Sequence, residues 1–244
     1  MRVLPVLDLL EGVVVRGVAG RRHEYRPIKS VLTGSAEPLH VARAFRDRFG
    51  LDQLYVADLD AIAGKPPALG VLGGLLRDGF RLWVDAGLGP QRQHCQALAD
   101  AGVTSIIVGL ESLEAPADLD VLVQMHGPAH IVFSLDMKHG RPLGRAWPEA
   151  SPWAIAEHAI AAGNTRILAL DLAGVGMGEG LRTLTLCRRL RAAHPHLELT
   201  TGGGVRGPED LLVLKEAGID FVLIASALHD GAIEPEHLAK IGSG

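Results

Sequence analysis

Two stretches of this chain echo one another at a fixed distance. Residues 97–109 (ALADAGVTSIIVG) are answered by residues 213–225 (VLKEAGIDFVLIA), each position 116 residues from its counterpart. Both read as the end of a helix, an Ala-Gly turn and an apolar run too short for another helix. A second echo runs from Arg2 to Leu9, an apolar run closing on Leu7-Asp8-Leu9. It returns 128 residues later as His130 to Met137, closing on Leu135-Asp136-Met137. A third links the runs that end at Asp58 and Asp171. Runs of this type, apolar on both alternating faces, are strands of a parallel sheet covered by helices on one side and core on the other.

Taken in order, the strands end at Asp8, Asp58, Gly87, Gly109, Asp136, Asp171, Gly204 and Ala225. Helical stretches are expected at 37–49 (with Ser35 as the cap), 66–78, 91–101, 116–125, 151–162, 181–193 and around Glu209-Asp210. Glu11-Gly12 marks a hairpin-like turn after the first strand, and residues 19–35 form a long basic loop. Eight β-then-α units in two related sets of four describe a single (β/α)8 TIM barrel over 1–244. Its half-barrels meet near 125/126. A doubly wound open sheet would not require the repeat, and no Gly-x-Gly-x-x-Gly follows the first strand.

A hydrophobic content of 48% supplies ample core. A net charge of −4 gives no general attraction to nucleic acid or to an anionic membrane. No run approaches the ~20 apolar residues of a membrane span. Cys95 and Cys187 are lone thiols, which suits a reducing cytoplasm. The eleven histidines are scattered, His194 and His196 being the nearest pair, so no metal site is expected. No cofactor is implied, and the oligomeric state is not encoded legibly.

Barrel chemistry sits at the C-terminal ends of the strands. Asp8 and Asp136 fall there on strands one and five, diametrically opposed, as a pair suited to proton transfer with one carboxyl neutral and one ionised. Asp58 and Asp171 end strands two and six and are secondary candidates, with loop capping as the competing role. Gly202, Gly203 and Gly204 close strand seven, and Ala225-Ser226 closes strand eight. Glycine there lets backbone N–H groups crowd a phosphate, and barrels of this kind place phosphate at those loops. The matching first-half loops carry Asp85 and Glu111, which repel phosphate. Arg16, Arg21, Arg22, Arg26 and Lys29 from the first loop are the available positive charge. Trp147 is a candidate for stacking on a ring at the mouth, or for packing beneath its loop.

With these residues in place, the chain resembles the histidine-biosynthesis barrels over nearly its whole length, and most closely the ProFAR isomerases (phosphoribosylformimino-5-aminoimidazole carboxamide ribotide isomerases). The matching stretches are LPVLDL at 4–9, GVVVR at 12–16, YVADLD at 55–60, SLD at 134–136, GGV at 203–205 and DLLVLKEAG at 210–218. The resemblance implies an Amadori rearrangement without cofactor, with Asp8 as general base, Asp136 as a carboxylate facing substrate, and Gly203, Gly204 and Ser226 in a phosphate half-site. It also exposes departures. The family's Asp-Gly-Thr after strand six, which carries its general acid, is here Val175-Gly176-Met177. Its Gly-Arg in strand eight is Ala225-Ser226. The expected partner is therefore a phosphorylated small molecule. The leading expectation is an isomerase of ProFAR type. The alternatives are a divergent enzyme outside histidine biosynthesis, linked to one-carbon pterin chemistry and acting on a smaller, singly phosphorylated substrate, or a non-catalytic phosphate-ligand binder.

Overall fold

A computed structural model describes residues 1–88 and 92–242. Eight barrel strands alternate with eight main helices. They are β1 (Arg2–Leu10), α1 (Pro38–Phe49), β2 (Gln53–Asp58), α2 (Leu69–Arg77), β3 (Arg81–Asp85), α3 (Arg92–Asp100), β4 (Ser105–Gly109) and α4 (Pro116–His126). The second half continues with β5 (Ile131–Lys138), α5 (Pro152–Ala161), β6 (Arg166–Asp171), α6 (Leu184–Ala193), β7 (Glu198–Gly202), α7 (Pro208–Glu216), β8 (Phe221–Ile224) and α8 (Pro235–Ile241). All eight strands are parallel neighbours in chain order, and β8 returns to pair with β1, so the sheet is a closed (β/α)8 barrel. The residue at 91, where the third helix was expected to begin, lies outside the described residues.

Closure is staggered. Arg2–Pro5 of β1 pair with Phe221–Ile224 of β8, whereas Val6–Leu9 pair with Tyr55–Asp58 of β2. That shift along the strand is what tilts barrel strands about the axis. Side chains then sort by the two-residue period of a strand. Leu4, Tyr55, Trp83, Ile107, Val132, Leu168 and Leu223 fill the lumen. Leu7, Leu9, Val56, Val84, Phe133, Leu135, Ala169 and Leu199 point outward onto Phe45, Leu72, Leu98, Leu122, Ile155, Leu190 and Leu214 of the helices.

Two excursions leave the mouth. Glu11 and Gly12 take left-handed φ of 51° and 80° and return the chain as Val13–Arg16, antiparallel to β1. His139 and Gly140 repeat the pattern at 53° and 73° and return it as Arg141–Pro142 along β5. Two successive left-handed residues match the twist of a tight hairpin. The two turns lie 128 residues apart, the same interval as Asp8 and Asp136. The second was not anticipated from sequence. Within the long basic loop lie a short turn of helix at Arg22–Glu24 and a strand pair between Arg26–Pro27 and Val15–Arg16. The cap of α1 is Glu37 rather than Ser35. Glu37 accepts from His40 N, and Ser35 Oγ accepts the Glu37 amide one step earlier.

Candidate active site at the mouth of the barrel

The strand period decides which carboxylates reach the lumen. Asp8 follows Leu4 and Val6 on the inner face of β1. Asp136 follows Val132 and Ser134 on that of β5, and Asp85 follows Trp83 on that of β3. All three line one cavity of about 1070 Å³ at the C-terminal end of the barrel, together with Tyr25, Tyr55 and Glu111. Asp58 and Asp171 fall on the opposite phase and face outward. Asp58 accepts the amides of Ala61 (3.1 Å) and Ala68 (2.7 Å). Asp171 accepts those of His139 (3.0 Å), Gly140 (2.8 Å) and Ala173 (3.0 Å). Both therefore brace loops, the role set against chemistry at the outset, and neither lines the cavity.

The lumenal carboxylates are held differently. Asp136 is 6% exposed. It accepts Ser134 Oγ at 2.7 Å and the Leu110 amide at 3.1 Å. Burial drives its carboxyl well above the ordinary range, the charges of Asp85 and Glu111 add to this, and its two hydrogen bonds oppose it. The Asp8 side chain has neither a hydrogen bond nor an ion pair among the described residues. Burial pushes it up to about 7, with Arg22 opposing and Asp85 assisting. Asp85 accepts the Gly87 amide at 3.1 Å and the Tyr55 hydroxyl at 3.4 Å, and burial pushes it up to about 6. The Tyr55 hydroxyl, buried and surrounded by Asp85, Asp136 and Asp8, lies well above its usual value. Three carboxyls that share one low-dielectric space oppose one another's ionisation, an arrangement suited to holding and accepting protons.

A roof of loops shields Asp8. A Cβ built on Gly17 would lie 2.9 Å from Asp8 Oδ2, 3.1 Å from Val175 Cγ1 and 3.7 Å from the Tyr25 hydroxyl, so a side chain there would crowd the carboxylate that the first loop crosses. That loop is fastened to the one after β6 by the Ala19 amide donating to Val175 O at 2.8 Å. Arg22 hangs from the roof into the cavity and meets Glu111 at 3.7 Å.

On the far side, Gly203, Gly204, Ala225 and Ser226 line the same cavity, and the amides of Gly203, Gly204 and Ser226 have no partner among the described residues. Gly204 takes φ +94°, and a Cβ there would fall 2.3 Å from Gly180 O. Gly202 serves packing instead of the cavity, since a Cβ on it would strike Leu223 at 2.6 Å. Two other candidates are redirected. Arg16 lines the cavity, but its guanidinium is held by both oxygens of Asp230, at 2.7 and 2.6 Å. Trp147 does not line the cavity and packs against Phe133 and His158. Among the remaining basic residues of the first loop, Arg21 pairs with Glu24 and Arg26 donates to the carbonyls of His23 and Tyr25.

The tyrosines were missed from sequence. A usable signal existed, because the chain has only two, and Tyr25 and Tyr55 both reach this cavity. Among the described residues no group of three or more metal-ligating side chains is assembled, and no helix is long and apolar enough to cross a membrane.

Comparison with known proteins places this barrel in a family. The family described as "Histidine biosynthesis protein" matches residues 2–234. The chain belongs to the histidine biosynthesis protein family. Among its relatives is the uncharacterised protein MJ0703 of Methanocaldococcus jannaschii, 30% identical over 240 residues that cover 98% of this chain and 97% of that one. Two others carry the name 1-(5-phosphoribosyl)-5-((5-phosphoribosylamino)methylideneamino) imidazole-4-carboxamide isomerase. The one from Thioalkalivibrio sulfidiphilus is 29% identical, covering 99% of each chain. The one from Desulforudis audaxviator is 31% identical, covering 96% of this chain and 88% of that one. Family membership and isomerase-named relatives thus accompany a site that carries Val175 in the loop after β6.

Proposed function

We propose that the protein is a cofactor-independent isomerase acting on a phosphorylated aminosugar by an Amadori-type rearrangement, a reading supported by relatives that are named isomerases. The observation that carries this reading is Asp8, a lumenal carboxylate with no side-chain partner that burial pushes up to about 7, opposite a second carboxyl that burial raises as well. Ionised Asp8 takes the proton from C2 of the ring-opened iminium, leaving a neutral enaminol. Asp136, whose carboxyl burial raises well above the ordinary range, delivers a proton to C1 as the O2 hydroxyl gives up its own, leaving the aminoketose. The split follows from environment, as it does for other paired carboxyls. The free amides of Gly203, Gly204 and Ser226 hold the phosphate, with Ala225 as the spacer between strand and turn.

The test is to incubate purified protein with ProFAR and to follow the absorbance change against an Asp8→Asn control. Turnover that vanishes in the control supports the reading, and no turnover above the control eliminates the ProFAR substrate. Val175 favours a second reading, in which the same proton transfer serves a phosphorylated substrate outside histidine biosynthesis. Under that reading Asp8-dependent turnover is found with another sugar phosphate and not with ProFAR.

A further inference from the structure

The two halves of the barrel use the same backbone amides in opposite ways. Ladder register fixes the correspondence. Asp85 of β3 lies opposite Ile107 of β4, and Gly202 of β7 lies opposite Leu223 of β8. Ile107 and Leu223 are counterparts in the 116-residue repeat, so Gly202 is the counterpart of Asp85 and Gly204 that of Gly87. The same repeat equates Ser226 with Leu110 and Ala227 with Glu111. In the second half the amides of Gly204 and Ser226 are free. In the first half the Gly87 amide donates to Asp85 Oδ1 at 3.1 Å and the Leu110 amide to Asp136 Oδ2 at 3.1 Å. Gly202 has no space for a side chain that could do the same, because Leu223 fills it.

We propose that Asp85 and Asp136 fill the first-half anion cradle from within, so that the substrate is a monophosphate whose other end donates hydrogen bonds, an amine above all. This rests on the reading that the second-half cradle holds a phosphate. A second phosphate would have to displace two carboxylates from their amides and then sit beside Glu111. An amine or hydroxyl at that end meets the unpartnered oxygens of Asp8 and the remaining lone pairs of Asp85 and Asp136. All of these line the one cavity that also contains Gly204 and Ser226. Asp85 and Glu111 thereby set specificity without taking part in the proton transfer.

The experiment is binding alone, by calorimetry and 31P NMR on the full chain, so that it does not depend on turnover. Wild type is expected to take one inorganic phosphate per chain and to lose it in Ser226→Asp. It is expected to bind ribulose 1,5-bisphosphate within threefold of ribose 5-phosphate, and glucosamine 6-phosphate at least fivefold tighter than glucose 6-phosphate. Asp85→Ala combined with Glu111→Ala should raise the bisphosphate-to-monophosphate preference at least tenfold. Two phosphates per wild-type chain, or a wild-type preference for the bisphosphate above tenfold, overturns the inference while leaving the isomerase reading standing. So does an unchanged preference in a double variant with a native circular dichroism spectrum. Equal binding of the amino and plain hexose phosphates overturns the assignment of the far end. Failure of phosphate and of every sugar phosphate to bind removes the second-half cradle, and with it both readings. If the double variant does not fold, the wild-type stoichiometry and preference still decide.

Discussion

Asp8→Asn should make the protein more stable, and more so at alkaline than at acid pH. The carboxyl sits at about 7 in the fold against 3.8 in an exposed chain, chiefly because burial disfavours its charge. Below pH 3.8 it is protonated in both states and costs nothing. Between 3.8 and about 7 the unfolded chain releases the proton while the folded one keeps it, so stability falls as pH rises. Above about 7 the cost is complete. At about 1.4 kcal/mol per pH unit it amounts to about 4 kcal/mol. Asparagine removes the charge without abandoning any partner, because Asp8 has none to abandon.

A gain of that size corresponds to roughly 8–16 °C in melting temperature for a chain of this length. Rearrangement of Asp85 and Arg22 around the neutral amide brings the expectation to the lower end. The assay is thermal unfolding by circular dichroism of wild type and Asp8→Asn at pH 4 and pH 8.5. The variant should melt at least 4 °C higher at pH 8.5, with most of that advantage gone at pH 4. A variant less stable than wild type at pH 8.5, or an advantage independent of pH, would refute the claim that an uncompensated carboxylate is stored beneath the roof.

The remaining predictions concern turnover and the supports of the site. Catalytic efficiency should rise with pH through about 7 as Asp8 ionises, read from a pH–rate profile of kcat/KM. Asp136→Asn should lower kcat by about 10²–10⁴ while leaving phosphate binding intact, measured by steady-state kinetics beside calorimetry. Asp171→Ala frees three loop amides and should cost about 1–3 kcal/mol in urea unfolding without moving the acid limb of the pH profile. Arg16→Ala opens a half-exposed pair with Asp230 and should cost less than about 1 kcal/mol in the same assay.

Much of this molecule is legible from its sequence, and what is not has a physical cause. Apolar runs of strand length, helical stretches between them and the 116-residue echo are local signals, and they suffice for a closed barrel. The duties of the strand-end carboxylates are not local. Parallel strands buried on both faces have no polar side to mark their phase, so the segment ending Tyr55-Val56-Ala57-Asp58 does not reveal that Tyr55 faces the lumen and Asp58 the loops. Only once the register of β1 and β2 is known does Asp8 separate from Asp58. The basic loop misleads for a related reason. Its arginines read as free positive charge in sequence, yet Arg16, Arg21 and Arg26 are taken by Asp230, Glu24 and backbone carbonyls, partners contributed from as far as 214 residues away.

The substitution at Val175 is best understood through what now surrounds it. Its carbonyl accepts the Ala19 amide, its side chain lies against the Gly17 position over Asp8, and the neighbouring Gly176 approaches Gly17 O so closely that a Cβ would fall 2.0 Å from it. An ionisable residue at 175 would bring water or charge to the roof. Valine brings neither, and burial is the largest cause of the rise of Asp8 to about 7. The loop after β6 offers no acid at 175, while burial raises the carboxyls of Asp8, Asp85 and Asp136 in the lumen below it. Restoring Val175→Asp would then supply a second acid but lower the carboxyl of Asp8 only if it admits solvent. The shift of the acid limb in a pH–rate profile of that variant separates the two effects.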